Sequence, residues 1–443
     1  MHELAIKGGR VLLGEELVEA NLYVRDGKIS SISKRDMAAE EVIDARGAVV
    51  LPGAIDVHAH VHPIGYLHRE DFLTGSRAAA AGGVTTIFDM PLMEESCTAE
   101  GIKRKIQDGE RMSIVDFAIH AGTFSKRMLG LLEEPLKVGV GSYKAFTCPP
   151  FELDSPELLR IFRFAAEKDV IVVVHSEDGG MVRALEEEAR SRGSDFMDRN
   201  LARPPAVEEA AVLRTSVIAR FAGARYHVAH VTSLPQLRAI EYARSRGTRI
   251  TAETCIHYLV FTREEVRSKG PYLTMNPPLK SREDREALWR AIADGAMEAV
   301  ATDHAPGTRE EKEKENAWEA WGGVPGLQEL PTVVLSEGTK RGIPIPRLSY
   351  VLSEGPARAM RIYPKKGSLL PGSDADILIW RPNVENVWSG EAVHYKTGWT
   401  PYEGMTFSGR VEATVVRGRI VFRNGEILER GGWGRFVRTY SRA

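Results

Sequence analysis

The sequence predicts an α/β protein: a (β/α)8 TIM barrel, with both chain ends joined in a small composite β-sandwich domain. Two observations predict it. Across the middle of the chain, eight apolar strand-like runs alternate with amphipathic helical stretches over roughly 250 residues, the size of such a barrel. Both ends read instead as short strands and turns. At 443 residues the chain also exceeds one ordinary core, so a large domain and a smaller one are expected. An open doubly wound sheet is the rival that periodicity alone leaves standing.

At the start, Ala5–Leu13, Leu22–Arg25 and Lys28–Ile32 alternate apolar and polar residues and are broken at Asp26-Gly27, a hairpin signal. Near the end, Ala375–Trp380, Val411–Val416 and Arg419–Phe422 do the same, with Asn424-Gly425 as the turn. Either end alone is too thin to bury a face, so the two are expected to share one domain, 1–53 with 365–443. The barrel is then 54–364. Its strands are expected at Ala54–Val61, Val84–Pro91, Asp116–Gly122, Val138–Phe146, Val170–Glu177, Tyr226–Thr232, Arg249–His257 and Glu298–His304. Helices are expected at Thr98–Arg111, Pro156–Lys168, Ala206–Ala222, Pro235–Ser245 and Glu283–Asp294. The charged run Arg309–Glu315 reads as a solvated loop or helix face.

Composition excludes several classes of function. Lys and Arg number 59 against 61 Asp and Glu, so no excess charge draws the chain to nucleic acid or an anionic membrane. No apolar run reaches about 18 residues, so no membrane span is expected. The first residues lack a basic stretch followed by an apolar one, so no secretory leader is expected. Three scattered cysteines, Cys97, Cys148 and Cys255, make a disulfide framework or a Cys-rich metal site untenable and fit a reducing cytoplasm. Any metal must rest on histidine and carboxylate.

Such residues gather at the C-terminal ends of the expected strands. His58 and His60 are two apart on a strand, which puts both imidazoles on one face. His175 closes Ile171-Val172-Val173-Val174-His175, His230 closes Val228-Ala229-His230, and Asp303 lies in Ala301-Thr302-Asp303-His304. A lone histidine after an apolar strand is usually structural. Four histidines and an aspartate at strand ends that converge on one barrel mouth make a metal site, suited to zinc first and tolerant of manganese, iron or cobalt. Lys144 ends the fourth expected strand, where an ammonium would repel metal. It either snorkels outward, binds substrate, or has reacted as a neutral amine with CO2 to give a carbamate that can bridge two cations.

The chain is at this point similar to the amidohydrolase superfamily, in its cyclic amidohydrolase branch of dihydroorotases, allantoinases and hydantoinases with dihydropyrimidinase. The resemblance rests on Pro52-Gly53-Ala54-Ile55-Asp56-Val57-His58-Ala59-His60, Asp89-Met90-Pro91, Glu253-Thr254-Cys255-Ile256-His257-Tyr258-Leu259, Asn276-Pro277-Pro278-Leu279-Lys280, Thr302-Asp303-His304-Ala305-Pro306 and Pro371-Gly372-Ser373-Asp374-Ala375-Asp376. It covers nearly the whole chain. It implies two divalent ions: His58, His60 and Asp303 on the first, His175 and His230 on the second, and a carbamylated Lys144 between them. A hydroxide shared by the metals would open a cyclic amide, with Asp303 carrying its proton to the leaving nitrogen. A homo-oligomer, dimer or tetramer, is also implied. His257 and His304 are expected behind these ligands rather than in the chemistry.

Which ring is opened is less legible. The Arg and Asn that resembling dihydroorotases use to hold a carboxylate are replaced by His62-Pro63-Ile64 and Leu92-Met93. Arg69 is the only nearby substitute. The Tyr that hydantoinases place after the bridging lysine is missing from Ala145-Phe146-Thr147-Cys148-Pro149. Asp89-Met90-Pro91-Leu92, Ala320–Gln328 and Thr400–Gly404 look allantoinase-like. The expected substrate is therefore an allantoin- or hydantoin-like cyclic ureide or imide, with a divergent dihydroorotase and a non-catalytic scaffold relative as alternatives. Asn276 and the backbone at Gly323 are expected to bond the imide edge, and Met93 and Cys148 to line an apolar pocket. Gly323 could otherwise serve only a turn at positive φ.

Overall fold

A computed structural model describes residues 1–441. Five strands precede the barrel: β1 (His2–Leu13), β2 (Glu16–Arg25), β3 (Lys28–Ser33), β4 (Ala39–Asp44) and β5 (Val49–Pro52). The barrel strands follow as β6 (Ala54–Ala59), β7 (Val84–Asp89), β8 (Asp116–Ile119), β9 (Ser142–Phe146), β10 (Ile171–His175), β11 (Arg225–Val228), β12 (Arg249–Cys255) and β13 (Ala299–Ala301). The chain returns through β14 (Ile377–Val387), β15 (Thr406–Val416), β16 (Arg419–Arg423) and β17 (Glu426–Ile427).

The barrel strands are parallel, in the order β6-β7-β8 and β9-β10-β11-β12-β13. Two seams join these sheets into a ring. Lys144 N donates to Ala121 O at 2.7 Å between β8 and β9, and His60 N donates to His304 O at 2.7 Å between β13 and β6. Asp56 reinforces the second seam. Its Oδ1 accepts from the amides of His58 at 3.1 Å and Thr302 at 3.2 Å, and its Oδ2 accepts from the Thr302 hydroxyl. Burial raises the Asp56 carboxyl to about 7. One buried side chain thus sets the spacing between the strands that carry His58 and Asp303. Ile55 and Val57, Phe88, Ala118, Ile171 and Val173, and Ala299 and Ala301 share one cluster. Side chains from strands on opposite sides of a barrel meet only in its interior, so these residues fill it.

The end strands form one mixed sheet in which β14 pairs antiparallel with β5 and β1 pairs with β2, β4 and β5. Leu4, Ile6, Leu22 and Ile43 from the start pack with Ile377, Ile379, Ala413 and Val415 from the end, so neither set is buried without the other. The tail departs from the expected division. From Gly434 it runs along the barrel: Phe117 N donates to Arg435 O, Val437 N to Phe117 O, and both Thr439 N and Tyr440 N to Gly139 O. Val437 joins the barrel-filling cluster.

The expected helices form with shifts of a residue or so, the first as Ala99–Met112 capped by the Thr98 hydroxyl on Gly101 N. Helices at Phe72–Gly82, Gly179–Arg192 and Leu330–Lys340 were not expected. The expected strand from Val138 begins only at Ser142. Pro135–Val138 is a 3-10 turn, and Gly139 at φ 88° breaks the extended run. The Arg309–Glu315 run is not simply solvated. Lys312 is buried, and its ammonium donates to the carbonyls of Thr274, Trp321 and Gly323 at 2.9, 2.8 and 2.9 Å. No helix among the described residues is long and apolar enough to cross a membrane.

Candidate metal centre and cavity

Strand alternation puts His58 and His60 on one side of β6, with ring centroids 5.7 Å apart. His175 ends β10, and Lys144 lies within β9. His230 and Asp303 each come two residues after a strand, at φ 39° and 44°. A left-handed conformation costs a side-chain-bearing residue about 1–3 kcal/mol, and it gathers where a site needs a particular aim. Here it turns both side chains across the mouth, so His230 lies 5.3 Å from the His58 ring and 4.5 Å from His175.

Three of the imidazoles are fixed in one tautomer. His58 Nδ1 donates to Glu253 Oε1 at 2.5 Å, His60 Nδ1 to Met90 O at 2.9 Å and His175 Nε2 to Glu177 Oε2 at 2.7 Å. Burial keeps His58, His175 and His230 below the usual imidazole pKa, hence neutral. The second nitrogen of each fixed ring is therefore a bare lone pair. Those of His58 and His60 lie 3.2 and 3.4 Å from the same oxygen, Asp303 Oδ1. Lone pairs facing a carboxylate oxygen repel each other, and a cation among them converts the repulsion into ligation. Ligand atoms of His58, His230 and Asp303 all lie within 4.8 Å of one another, and His230 Nδ1 is buried with no protein partner among the described residues. The donor set fits a borderline divalent ion.

Lys144 is 1% exposed and makes no ion pair among the described residues; its Nζ is 4.9 Å from the Phe146 ring centre. Burial lowers its amine to about 8, within reach of the neutral form. These six residues line one cavity of about 460 Å³, within the range of small-molecule sites.

Asn276, Met93 and Cys148 also line that cavity, with Met93 on its exposed side and Cys148 buried. Gly323 does not. Its N–H is donated to Thr274 O at 3.0 Å and its C=O accepts from Lys312, so neither is free for a ring edge. Nor does it serve a positive φ. A Cβ there would stand 2.3 Å from Ala305 O, so close packing requires the glycine, and Gly322 is the residue that lines the wall. His304 donates or accepts at Glu70 Oε2, 3.2 Å away, and His257 packs on Tyr258 at 4.1 Å; both lie behind the cavity wall. Arg69 is paired with Glu311 at 2.8 Å, is stacked on Trp321 at 3.7 Å and does not line the cavity.

The sequence reading assigned no role to Glu253, Glu177, Arg199 and Arg203. Glu253 is fully buried between His58 and His227, whose Nε2 is 3.1 Å away. Glu177 also receives Arg203 NH1 at 2.6 Å, which outweighs burial and depresses its pKa. A signal for Glu177 was available: His175 and Glu177 are two apart, the spacing that singled out His58 and His60. Arg199, on the short helix Phe196–Leu201, and Arg203, just after it, lie in a stretch too short to carry a period.

A model of the amidohydrolase family matches residues 49–421. An allantoinase of Rubrobacter xylanophilus is 38% identical over 98% of this chain and 97% of its own. An L-hydantoinase of Paenarthrobacter aurescens is 31% identical over 99% and 98%. Among solved structures, the L-hydantoinase (dihydropyrimidinase) of Arthrobacter aurescens superposes with a TM-score of 0.95 at 30% identity, covering 99% of this chain and all of that one. The dihydropyrimidinase of Brevibacillus agri gives 0.93 at 29% identity over the whole of both.

Proposed function

The chain belongs to the amidohydrolase family, and we propose that it is a metal-dependent cyclic amidohydrolase that opens an allantoin- or hydantoin-like ring. Water adds across one ring amide: the C–N bond breaks, a C–O bond forms at the carbonyl carbon, and one proton moves to the leaving nitrogen. The observation that carries this reading is the pair of imidazole lone pairs, on His58 and His60, converging on one buried Asp303 oxygen at a barrel mouth.

In this reading His58, His60 and Asp303 would hold one divalent ion and His175 and His230 a second, with Lys144 as a CO2-derived carbamate serving both. Zinc suits the donors best, and manganese, iron or cobalt are compatible. The chemistry such ions would supply is a lowered water pKa and polarisation of the ring carbonyl. Glu253, Met90 O and Glu177 keep the ligand rings oriented. Asp303 takes a proton from the attacking water on its carboxylate and delivers it to the ring nitrogen, which without protonation is a poor leaving group. Asn276 holds the ring's imide edge, and Met93 and Cys148 border it. The reading extends to a homo-oligomer in the cytoplasm, with a composite domain of 1–53 and 365–443, less the tail from Gly434 that runs along the barrel, attached to the 54–364 barrel.

The test is metal analysis of the purified chain together with turnover of allantoin, hydantoins, dihydrouracil and dihydroorotate. We expect close to two ions per chain and turnover of allantoin or a hydantoin that stops on chelation. A chain that takes up neither zinc nor manganese in bicarbonate buffer and opens none of these rings refutes the reading.

A further inference from the structure

Two guanidinium groups line the cavity, and they differ in one respect. Arg203 is held by carboxylates, NH1 on Glu177 at 2.6 Å and Nε on Glu186 at 2.8 Å. Arg199, on the short helix Phe196–Leu201, meets only neutral groups: NH1 donates to the carbonyls of Ala317 at 2.6 Å and Ala320 at 2.7 Å. Among the described residues it makes no ion pair. Glu319, the nearest acid lining the cavity on that loop, is exposed and accepts from Asn316 Nδ2 at 3.2 Å.

The other terminal nitrogen of Arg199 lies against Gly322, beside Asn276. A Cβ added to Gly322 would stand 2.8 Å from Arg199 NH2 and 2.9 Å from Asn276 Nδ2, so only a glycine lets both N–H donors lie side by side there. Arg199, Asn276 and Gly322 all line the same cavity. Much of the surrounding wall is apolar, with Met93, Phe151 and Trp321 among its residues. A half-buried guanidinium without a counter-charge is best answered by a planar acceptor, a carboxylate or an amide-type carbonyl.

We propose that Arg199, together with Asn276, reads a hydrogen-bond-accepting substituent on the substrate ring, and so sets a preference for rings bearing a carboxylate or a ureido carbonyl over bare or aryl-bearing ones. This rests on the ring-opening reading above. Arg199 is here a specificity-determining residue: its charge acts on the substituent, away from the amide that is cleaved.

The experiment compares kcat/KM for hydantoin and its ureido-, carboxymethyl- and benzyl-substituted forms, using the zinc-loaded full chain and its Arg199→Met, Arg199→Lys and Gly322→Ala variants, with melting temperatures recorded for each. We expect the ratio of polar-substituted to unsubstituted rings to fall about 10- to 100-fold in Arg199→Met, the range of a lost charge-assisted hydrogen bond. Arg199→Lys should recover part of the carboxymethyl preference and less of the ureido one, because a point charge answers a carboxylate better than it answers a carbonyl. Gly322→Ala should lower the same ratio, because its Cβ would displace the Arg199 and Asn276 side chains. If all four rings slow by one common factor in these variants, Arg199 merely fastens the 317–320 loop and the proposal is overturned. If the ratio does not move, it is overturned as well. A wild-type chain that opens none of the rings refutes the ring-opening reading itself, a result distinct from either.

Discussion

Replacing Glu253 by glutamine should weaken metal binding without weakening the fold. The carboxylate is 0% exposed and accepts from two rings, His58 Nδ1 at 2.5 Å and His227 Nε2 at 3.1 Å. Glutamine has nearly the same shape, so packing is preserved. Its single carbonyl can no longer serve both rings, and its NH2 favours a lone pair on the ring nitrogen it faces, Nδ1 of His58 or Nε2 of His227. If that ring is His58, the proton moves to Nε2, the nitrogen 3.2 Å from Asp303 Oδ1, and the ligand lone pair is lost. If it is His227, His58 keeps its tautomer but loses the carboxylate that makes it basic. Outer partners of this kind are worth about 10- to 100-fold in metal affinity, or about 1.4–2.7 kcal/mol. The metal-free variant should melt no lower than the metal-free wild type, because a buried carboxylate facing only neutral rings is itself unfavourable. Zinc affinity by chelator competition and melting with and without metal check both halves. An affinity within about twofold of wild type, where at least tenfold is expected, would refute the tautomer argument. A lower melting point for the metal-free variant would show that Glu253 serves the fold instead.

Lys144→Ala should lose one ion and slow turnover at least about 100-fold, with partial rescue by short carboxylic acids; intact-mass analysis of the native wild type should detect the CO2 adduct, and a variant that keeps full activity and both ions sinks the bridge. Lys312→Met strands three buried carbonyls, on Thr274, Trp321 and Gly323. We expect about 3 kcal/mol lost in denaturant melts and a higher KM, since the freed loop carries Gly322. Burial raises the Glu329 carboxyl from 4.5 to about 7. The folded state therefore holds a proton that the unfolded chain releases, and stability falls as pH rises through that window, by at most about 3 kcal/mol. Glu329→Gln should remove this slope, so that melting temperatures of variant and wild type diverge between about pH 5 and about pH 8; parallel curves would contradict it.

The barrel was legible because its strands are nearly continuous apolar runs ending in polar residues, as in Ile171–His175. The helices it announced were those with a clear two-sided pattern. Phe72–Gly82 gave no such pattern because eight of its residues are buried, which erases the polar face. Boundaries failed where tertiary contacts decide, as at Gly139, whose carbonyl the tail's Thr439 and Tyr440 bind. For the site, period-two spacing points to residues that share a face, so His58 with His60 could be read directly. Lys312 could not, because a lysine inside a charged run carries no mark that its ammonium will be enclosed by carbonyls. Nor could Gly322 be told from Gly323, since two adjacent glycines read alike until the chain around them is folded.

The distribution of charge around the cavity joins these observations. At the strand ends, Asp303 and Glu253 are buried carboxylates that share His58, an imidazole kept neutral by burial, and Lys144 holds its proton weakly. On the opposite sequence segment, the 312–323 loop is fastened by Lys312 and Arg199, whose side-chain nitrogens bond only to carbonyls. An ion pair between the two sets would have satisfied both and left nothing to bind. Kept apart, each set favours a ligand of opposite character: cations at the strand ends, and an acceptor-rich group at the loop. In the proposed reading a substituted cyclic ureide would span that division, its ring at the strand ends and its substituent at Arg199. Fold stability and ligand choice are then governed by the same separated charges, so filling either end should stiffen the loop as well as the barrel mouth.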